Sequence, residues 1–270
     1  MDPELIWGGY QKGKQTLLQL SKKYNCSKKY NCSKRTIQRK LDLHQIPTPE
    51  VPPRPVVILM DTTYWGRGFG VMLFKDAHSK ENLLKYYVKS ETNELYTQGI
   101  KELKSKGFRI KAIVCDGRRG LMHSFGDTPV QMCQFHQVAI IRRYITKRPR
   151  LAVSIELNNL VRLLTKTDKE SFEGALNDWF TKWEFYLKER TMNTETGKRH
   201  YTHKRLRSAY RSLKNNLPWL FTWYDNMGLN IPNTTNALEG HFADLKNKMR
   251  NHNGLSKQRK MKFIDGFLKV

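Results

Sequence analysis

Five prolines, Pro47, Pro49, Pro52, Pro53 and Pro55, fall within nine residues and divide the chain. Proline fixes φ and has no N–H to donate, so neither a helix nor an inner strand can run through this stretch. It reads as a stiff linker, residues 47–55, between a small module, 1–46, and a larger domain, 56–270. The 270 residues are 39% apolar and 11% aromatic, enough for a real core and against disorder along the whole chain. No run of 18 apolar residues occurs and residues 1–15 lack a signal-type stretch, so neither a membrane span nor secretion is expected. Four cysteines, Cys26, Cys32, Cys115 and Cys133, are too few and too irregular for a disulfide scaffold, and fit a reducing cytoplasm.

Charge points to the partner. Lys and Arg number 49 against 24 Asp and Glu, a formal net charge of +25. Residues 1–46, 188–214 and 246–270 each carry +7, so three segments hold 21 of the 25 excess charges. Charge clustered in this way fits a phosphate polymer.

Within the small module, Ser33 is placed to cap a helix whose Ile37 and Leu41 turn inward at i, i+4 spacing. Lys34, Arg35, Gln38 and Arg39 then face outward, a layout that resembles the recognition helix of a recombinase or transposase helix-turn-helix. A duplication sits beside it: Ser21-Lys22-Lys23-Tyr24-Asn25-Cys26 is repeated as residues 27–32. Six residues turn a helix face by about −120°, so two adjacent copies cannot present Tyr and Cys to one core. Either one copy loops out or the module is damaged.

After the linker come apolar runs of strand length. Val56–Met60 leads into Asp61, Val71–Phe74 follows a glycine-rich turn, and Leu83–Val88 makes a third strand. A helix from Thr92 to Lys106 ends at Gly107, and Ile110–Val114 runs into Cys115-Asp116. This pattern predicts a mixed α/β sheet. Beyond residue 137 the pattern turns helical, with Trp179/Trp183 and Trp219/Trp223 each spaced i, i+4 as core residues.

Two aspartates at strand ends of one sheet can converge on a divalent cation, and Mg²⁺ prefers carboxylate and phosphate oxygens. The segment from Thr234 to Lys246 opens a helix after Pro232, with hydroxyl residues at its cap. Asn236, Glu239, Ala243 and Lys246 share one face, beside a buried stripe of Leu238, Phe242 and Leu245. A carboxylate and a lysine two turns later can serve a metal and the phosphate it activates.

Asp61, Asp116, Glu239 and Lys246 together resemble the catalytic constellation of DDE transposases. Cys133-Gln134-Phe135-His136 is similar to the Cys-x-x-His signature of Mutator-like bacterial insertion-sequence transposases, as is the run Ile231–Gly240. The resemblance covers about residues 54–265. It implies an RNase H-like mixed sheet interrupted by an all-α insertion at about 138–230, within the 122 residues between Asp116 and Glu239. It implies two Mg²⁺ ions, replaceable by Mn²⁺, held by Asp61, Asp116 and Glu239, with Cys133, His136, Asn236 and Lys246 in support. Arg118 and Arg119 would contact phosphate, and Lys204, Arg205, Arg207, Arg211, Lys246 and Lys248 would grip DNA. The expected activity is cleavage at element ends and 3′-OH strand transfer, by a homodimer or larger synaptic complex on terminal inverted repeats and target DNA, in the bacterial nucleoid. The alternatives are a decayed, DNA-binding repressor and an RNase H-type nuclease.

Other readings fail on their residues. Gly8 to Lys14 has P-loop spacing, but Gln15 replaces the metal-binding hydroxyl and no strand precedes it. Gly66, Gly68 and Gly70 lack dinucleotide-site spacing, and no G-x-S-x-G elbow occurs. Cys133 and His136 are half of a zinc set; on spacing, only His200 and His203 could complete it. A packing and positioning role is preferred for the pair, with His136 beside the scissile phosphate.

Overall fold

The computed structural model describes residues 2–24 and 32–270. Ahead of the prolines lie three helices, α1 (Pro3–Gln11), α2 (Leu17–Tyr24) and α3 (Lys34–Leu43). The sequence reading contains no α1, because Gly8 and Gly9 weaken helix propensity. Asp2 offsets this by capping through the Glu4 N–H, and Pro3 starts the first turn. Helix α3 follows its spacing: Ser33 accepts from the Thr36 N–H at 3.2 Å, and Ile37 and Leu41 are buried. Lys34, Arg35 and Arg39 are exposed, while Gln38 is half-buried and donates to Asp42 at 3.1 Å. The question of which hexapeptide copy loops out falls on residues 25–31, outside the described residues.

Residues 44–54 carry no regular structure, and the first strand opens on Pro55, where a missing N–H is tolerated. Strands β1 (Pro55–Tyr64), β2 (Gly70–Asp76) and β3 (Asn82–Val88) form an antiparallel meander. Helix α4 (Asn93–Ser105), capped by Thr92, crosses to β4 (Arg109–Cys115), which pairs parallel with β1. A short edge strand, β5 (Val130–Met132), pairs parallel with β4. The sheet order β3-β2-β1-β4-β5 is the RNase H-like arrangement. Strand β5 is missing from the sequence reading because three residues with a central Gln leave no periodicity to detect. Gln131 is fully buried there, donating to the Leu220 carbonyl at 2.9 Å and accepting from the Trp223 N–H at 2.9 Å.

A helical segment follows: α5 (Gln134–Ile145), α6 (Ala152–Leu163) and α7 (Lys169–Lys188). It is not all-α. A ribbon of β6 (Arg190–Met192) and β7 (Arg199–Tyr201) interrupts it before α8 (Lys204–Leu220) and α9 (Thr222–Asp225). The ribbon's turn is built on Asn193, which accepts from the Glu195 and Thr196 N–H groups, and on Gly197 at φ +67. The chain closes with α10 (Asn236–Arg250) and α11 (Lys257–Leu268). Trp179 is buried and donates to the Val153 carbonyl; Trp183, Trp219 and Trp223 pack against the same core. Trp219 and Trp223 do not share a helix, since α8 ends between them.

Strict alternation divides the core. Val56, Ile58 and Met60 face α4 and the helical segment, while Val57 and Leu59 face α10 and α11. The same two-residue period runs through β2, with Met72 and Phe74 on one side and Val71 and Leu73 on the other. Helices α1–α3 join the second core: Ile6, Tyr10, Leu20, Ile37 and Leu41 are buried together with Met249, Phe263 and Ile264. Gln11 donates to the Phe263 carbonyl at 2.8 Å, and Asp42 pairs with Arg259 at 2.8 Å. Among the described residues no helix is long and apolar enough to cross a membrane.

Candidate active site

The period that buries Val57 and Leu59 carries Asp61 to the same face of the sheet, the face that α10 covers. Asp61 lies within β1 rather than at its end, because Thr62-Thr63-Tyr64 continue the pairing with Gly70–Met72. Asp116 follows the last residue of the neighbouring β4. The loop after it lies flat on the sheet, since a Cβ at Gly117 would sit 2.1 Å from the Met132 methyl. Glu239 comes from the first turn of α10.

A sulfur fixes that turn. Thr235 occupies the cap position of α10, but its side chain makes no cap bond there. Both its N–H and its hydroxyl donate to the Cys133 sulfur, each at 3.3 Å. Cys133 is in turn bonded to the Cys115 carbonyl through its N–H at 2.7 Å, and the Gln134 N–H reaches the Asn233 carbonyl at 2.9 Å. The end of β4, the start of α5 and the start of α10 are therefore one connected unit. His136, in the first turn of α5, places Nε2 3.6 Å from Glu239 Oε1, an ion-pair distance too long for a hydrogen bond.

The electrostatics are those of an acidic floor that His136 and Arg118 compensate only in part. Burial pushes the Asp61 carboxyl up to about 7; Asp116 and Glu91 add to the rise, against the Thr62 N–H and His136. Thr62 N–H donates to Asp61 at 2.7 Å. Asp116 Oδ1, Glu239 Oε1 and His136 Nδ1 are buried and have no hydrogen-bond partner among the described residues. The Cys133 sulfur, and then the Asp61 and Glu239 charges, hold His136 protonated up to about 9 despite burial. Burial pushes the Cys133 thiol up, but His136 and Thr235 bring it below its usual value.

Two features carry no motif in the sequence. Glu91, just ahead of the Thr92 cap, accepts from the Tyr96 hydroxyl at 2.8 Å, and Tyr96 also meets Thr62 at 2.9 Å. Burial raises the Glu91 carboxyl, and Asp116 raises it further. Glu91 is thus a third carboxylate beside Asp61 and Asp116; only its tertiary position shows this. The second is the loop between β1 and β2. Lys246 lies 5.8 Å from the Trp65 ring centroid, and Lys257 and Lys260 lie 5.9 and 5.8 Å from that of Phe69. Three cations thus stand over two aromatic rings of this loop.

The remaining sequence candidates are scattered. Asn236 is exposed, one turn before Glu239 on the same face. Arg118 donates to Asn93 and to the Glu91 carbonyl, each at 2.8 Å, so it braces the loop after β4; Arg119 is exposed beside it. Lys248 pairs with Asp244 at 2.5 Å. Lys204 and Arg205 line a cavity of about 510 Å³ with Arg148 and Arg150. Arg207 stacks 3.4 Å over Tyr201 and donates to the Leu187 carbonyl, so it holds the ribbon to α8; Arg211 is exposed. Lys34, Arg35 and Arg39 stand on α3, in the other, N-terminal part of the molecule. His200 and His203 do not join Cys133 and His136; His203 pairs with Glu189 at 2.9 Å.

No described protein family matches the chain, and no curated protein does. Among solved structures it is similar to a chain of the simian T-cell lymphotropic virus intasome in complex with PP2A regulatory subunit B56 gamma. That similarity has 11% identity and a TM-score of 0.25, over 78% of this chain and 66% of the other. The chain thus spans slightly less than two thirds of that neighbour's length.

Proposed function

We propose that the chain is a DDE-type DNA transposase, of the Mutator-like bacterial insertion-sequence kind, acting in the cytoplasm on double-stranded DNA. The observation that carries this reading is the acidic floor itself. Asp61 is raised to about 7 by burial and neighbouring charge, and Asp116 and Glu239 each hold a buried oxygen without a hydrogen-bond partner among the described residues. Hard oxygen donors whose charge His136 offsets only in part fit Mg²⁺ or Mn²⁺.

The chain's own groups have distinct tasks. Asp61, Asp116 and Glu239 would hold the ions, and Cys133 and Thr235 anchor the turn that carries Glu239. His136 stands between the carboxylates and the incoming scissile phosphate. Lys246 and the Trp65–Phe69 loop receive the DNA strand, and Lys204, Arg205 and Arg211 bind backbone farther away. Bound Mg²⁺ supplies Lewis-acid activation of the nucleophile and charge stabilisation of the leaving oxygen. Water opens a phosphodiester at the element end, leaving a 3′-OH, which then displaces a 3′ oxygen in target DNA. Terminal inverted repeats are the substrate, and two or more copies of the chain bring the ends together.

The test is supercoiled-plasmid nicking in Mg²⁺ or Mn²⁺, with wild type beside Asp116→Asn and DNA binding measured for both. Metal-dependent nicking that vanishes only in the variant is expected. Equal, tight binding by both proteins without nicking, on plasmids carrying element ends, overturns the enzyme reading in favour of a DNA-binding repressor.

A further inference from the structure

We propose that Cys133, His136 and Glu239 form a binding site for a thiophilic divalent cation of the zinc class. Among the described residues this is the group of three metal-capable side chains whose ligand atoms all lie within 4.8 Å of one another. The set brings together what spacing alone could not: Glu239 completes the pair from another helix, 103 positions after His136. A tetrahedral ion with N and O bonds of about 2.0 Å places those ligands about 3.3 Å apart. His136 Nε2 and Glu239 Oε1 already stand at 3.6 Å.

The surroundings are built for the sulfur as a ligand. Two donors from Thr235 point at Sγ, the arrangement that favours a thiolate, and the Cys133 N–H is anchored on β4. Thiolate and carboxylate together cancel the charge of a dication while the imidazole stays neutral, so loading leaves no net charge in the half-buried site. Loading exchanges the His136–Glu239 ion pair and the Cys133–His136 contact for bonds to the ion, while Glu239 Oε1 has no hydrogen bond to lose. The His136 and Glu239 side chains are 30% and 33% exposed, which leaves an entry path and a fourth position for water. Sulfur and imidazole select zinc-class ions over Mg²⁺, which prefers oxygen.

Glu239 cannot serve this site and the Asp61–Asp116 site with the same oxygen. A zinc-class ion would therefore withdraw it from the hard-cation site and silence cleavage. That consequence rests on the proposed function; the binding itself does not.

The probe is Co²⁺, titrated into the full-length, metal-free protein and followed by absorbance. One ion per chain is expected, with a thiolate-to-cobalt charge-transfer band in the near ultraviolet and tetrahedral d–d bands in the visible. Equimolar Zn²⁺ removes both bands, and millimolar Mg²⁺ does not. Cys133→Ser abolishes the charge-transfer band, and His136→Asn lowers Co²⁺ affinity roughly 10- to 100-fold. Circular dichroism checks folding, and His136→Asn carries the test if Cys133→Ser does not fold. Absence of the charge-transfer band in wild type overturns the proposal, as does unchanged Co²⁺ affinity in the folded variants. A cobalt spectrum without plasmid nicking leaves this site standing and removes the nuclease; nicking without the spectrum does the reverse.

Discussion

Asp76 and Asp61 are both carboxylates on the central sheet, and they are treated in opposite ways. Asp76, at the end of β2, is 4% exposed. Burial pushes its carboxyl up, but the His78 N–H, Arg54 and Ser79 together bring it below its usual value. Arg54 reaches it at 2.9 Å, Ser79 at 3.0 Å and the His78 N–H at 3.0 Å. Asp61 receives one backbone N–H and the charge of His136, which together do not offset burial and the facing Asp116 and Glu91. The same sequence that surrounds one buried carboxylate with donors leaves another beside more negative charge. The first arrangement stabilises a turn. The second costs stability when Asp61 is ionised, and an arrangement that destabilises locally is expected where an external cation completes it.

The largest expected effect separates the two aspartates by activity. Asp61→Asn should lower metal-dependent nicking by on the order of 10³-fold or more while leaving the melting temperature unchanged or higher. Asp76→Asn should leave nicking per folded molecule intact. Its effect falls on stability: chemical denaturation should show a loss of about 2–3 kcal/mol, because Arg54 keeps Glu81 as a partner and is partly solvated. Equal activity losses in both variants would erase the contrast.

A smaller effect is the opposite pH dependence of the two groups. The folded value of Asp61, about 7, exceeds the unfolded value of about 3.9. Between them the folded chain binds more protons, so the metal-free protein gains stability from Asp61 as pH falls from about 7 toward 4. Asp76, lowered on folding, contributes stability that is present above its unfolded value and is lost as pH falls through its folded one. Melting curves of wild type against Asp61→Asn across pH 4–8 should show the first slope vanish in the variant. The smallest effect concerns the sulfur contact. Thr235→Val removes one donor to Cys133, for a loss of about 1 kcal/mol in denaturation midpoints and a modest fall in nicking.

The sheet was legible because β1 to β4 are apolar runs of strand length and α4 ends on a glycine. Asp61, Asp116 and Glu239 stood out for the same reason: each follows or opens an element that the pattern marks. Other features depend on distance in space. Glu91 has no motif, β5 is too short for a period, and the ribbon at 190–201 is written in charged residues that read as a helix face. Thr235 shows the limit from the other side. Its position as a cap was readable, yet its hydroxyl turns to a sulfur 102 positions earlier in the chain.

The most direct measurement is uptake of Mn²⁺ by the DNA-bound protein, followed through the electron paramagnetic resonance signal of the free ion. The account predicts saturable uptake by wild type that is lost in Asp61→Asn and Asp116→Asn and retained in Asp76→Asn. Wild type that leaves the free-ion signal untouched, or uptake that persists in both active-site variants, would contradict it.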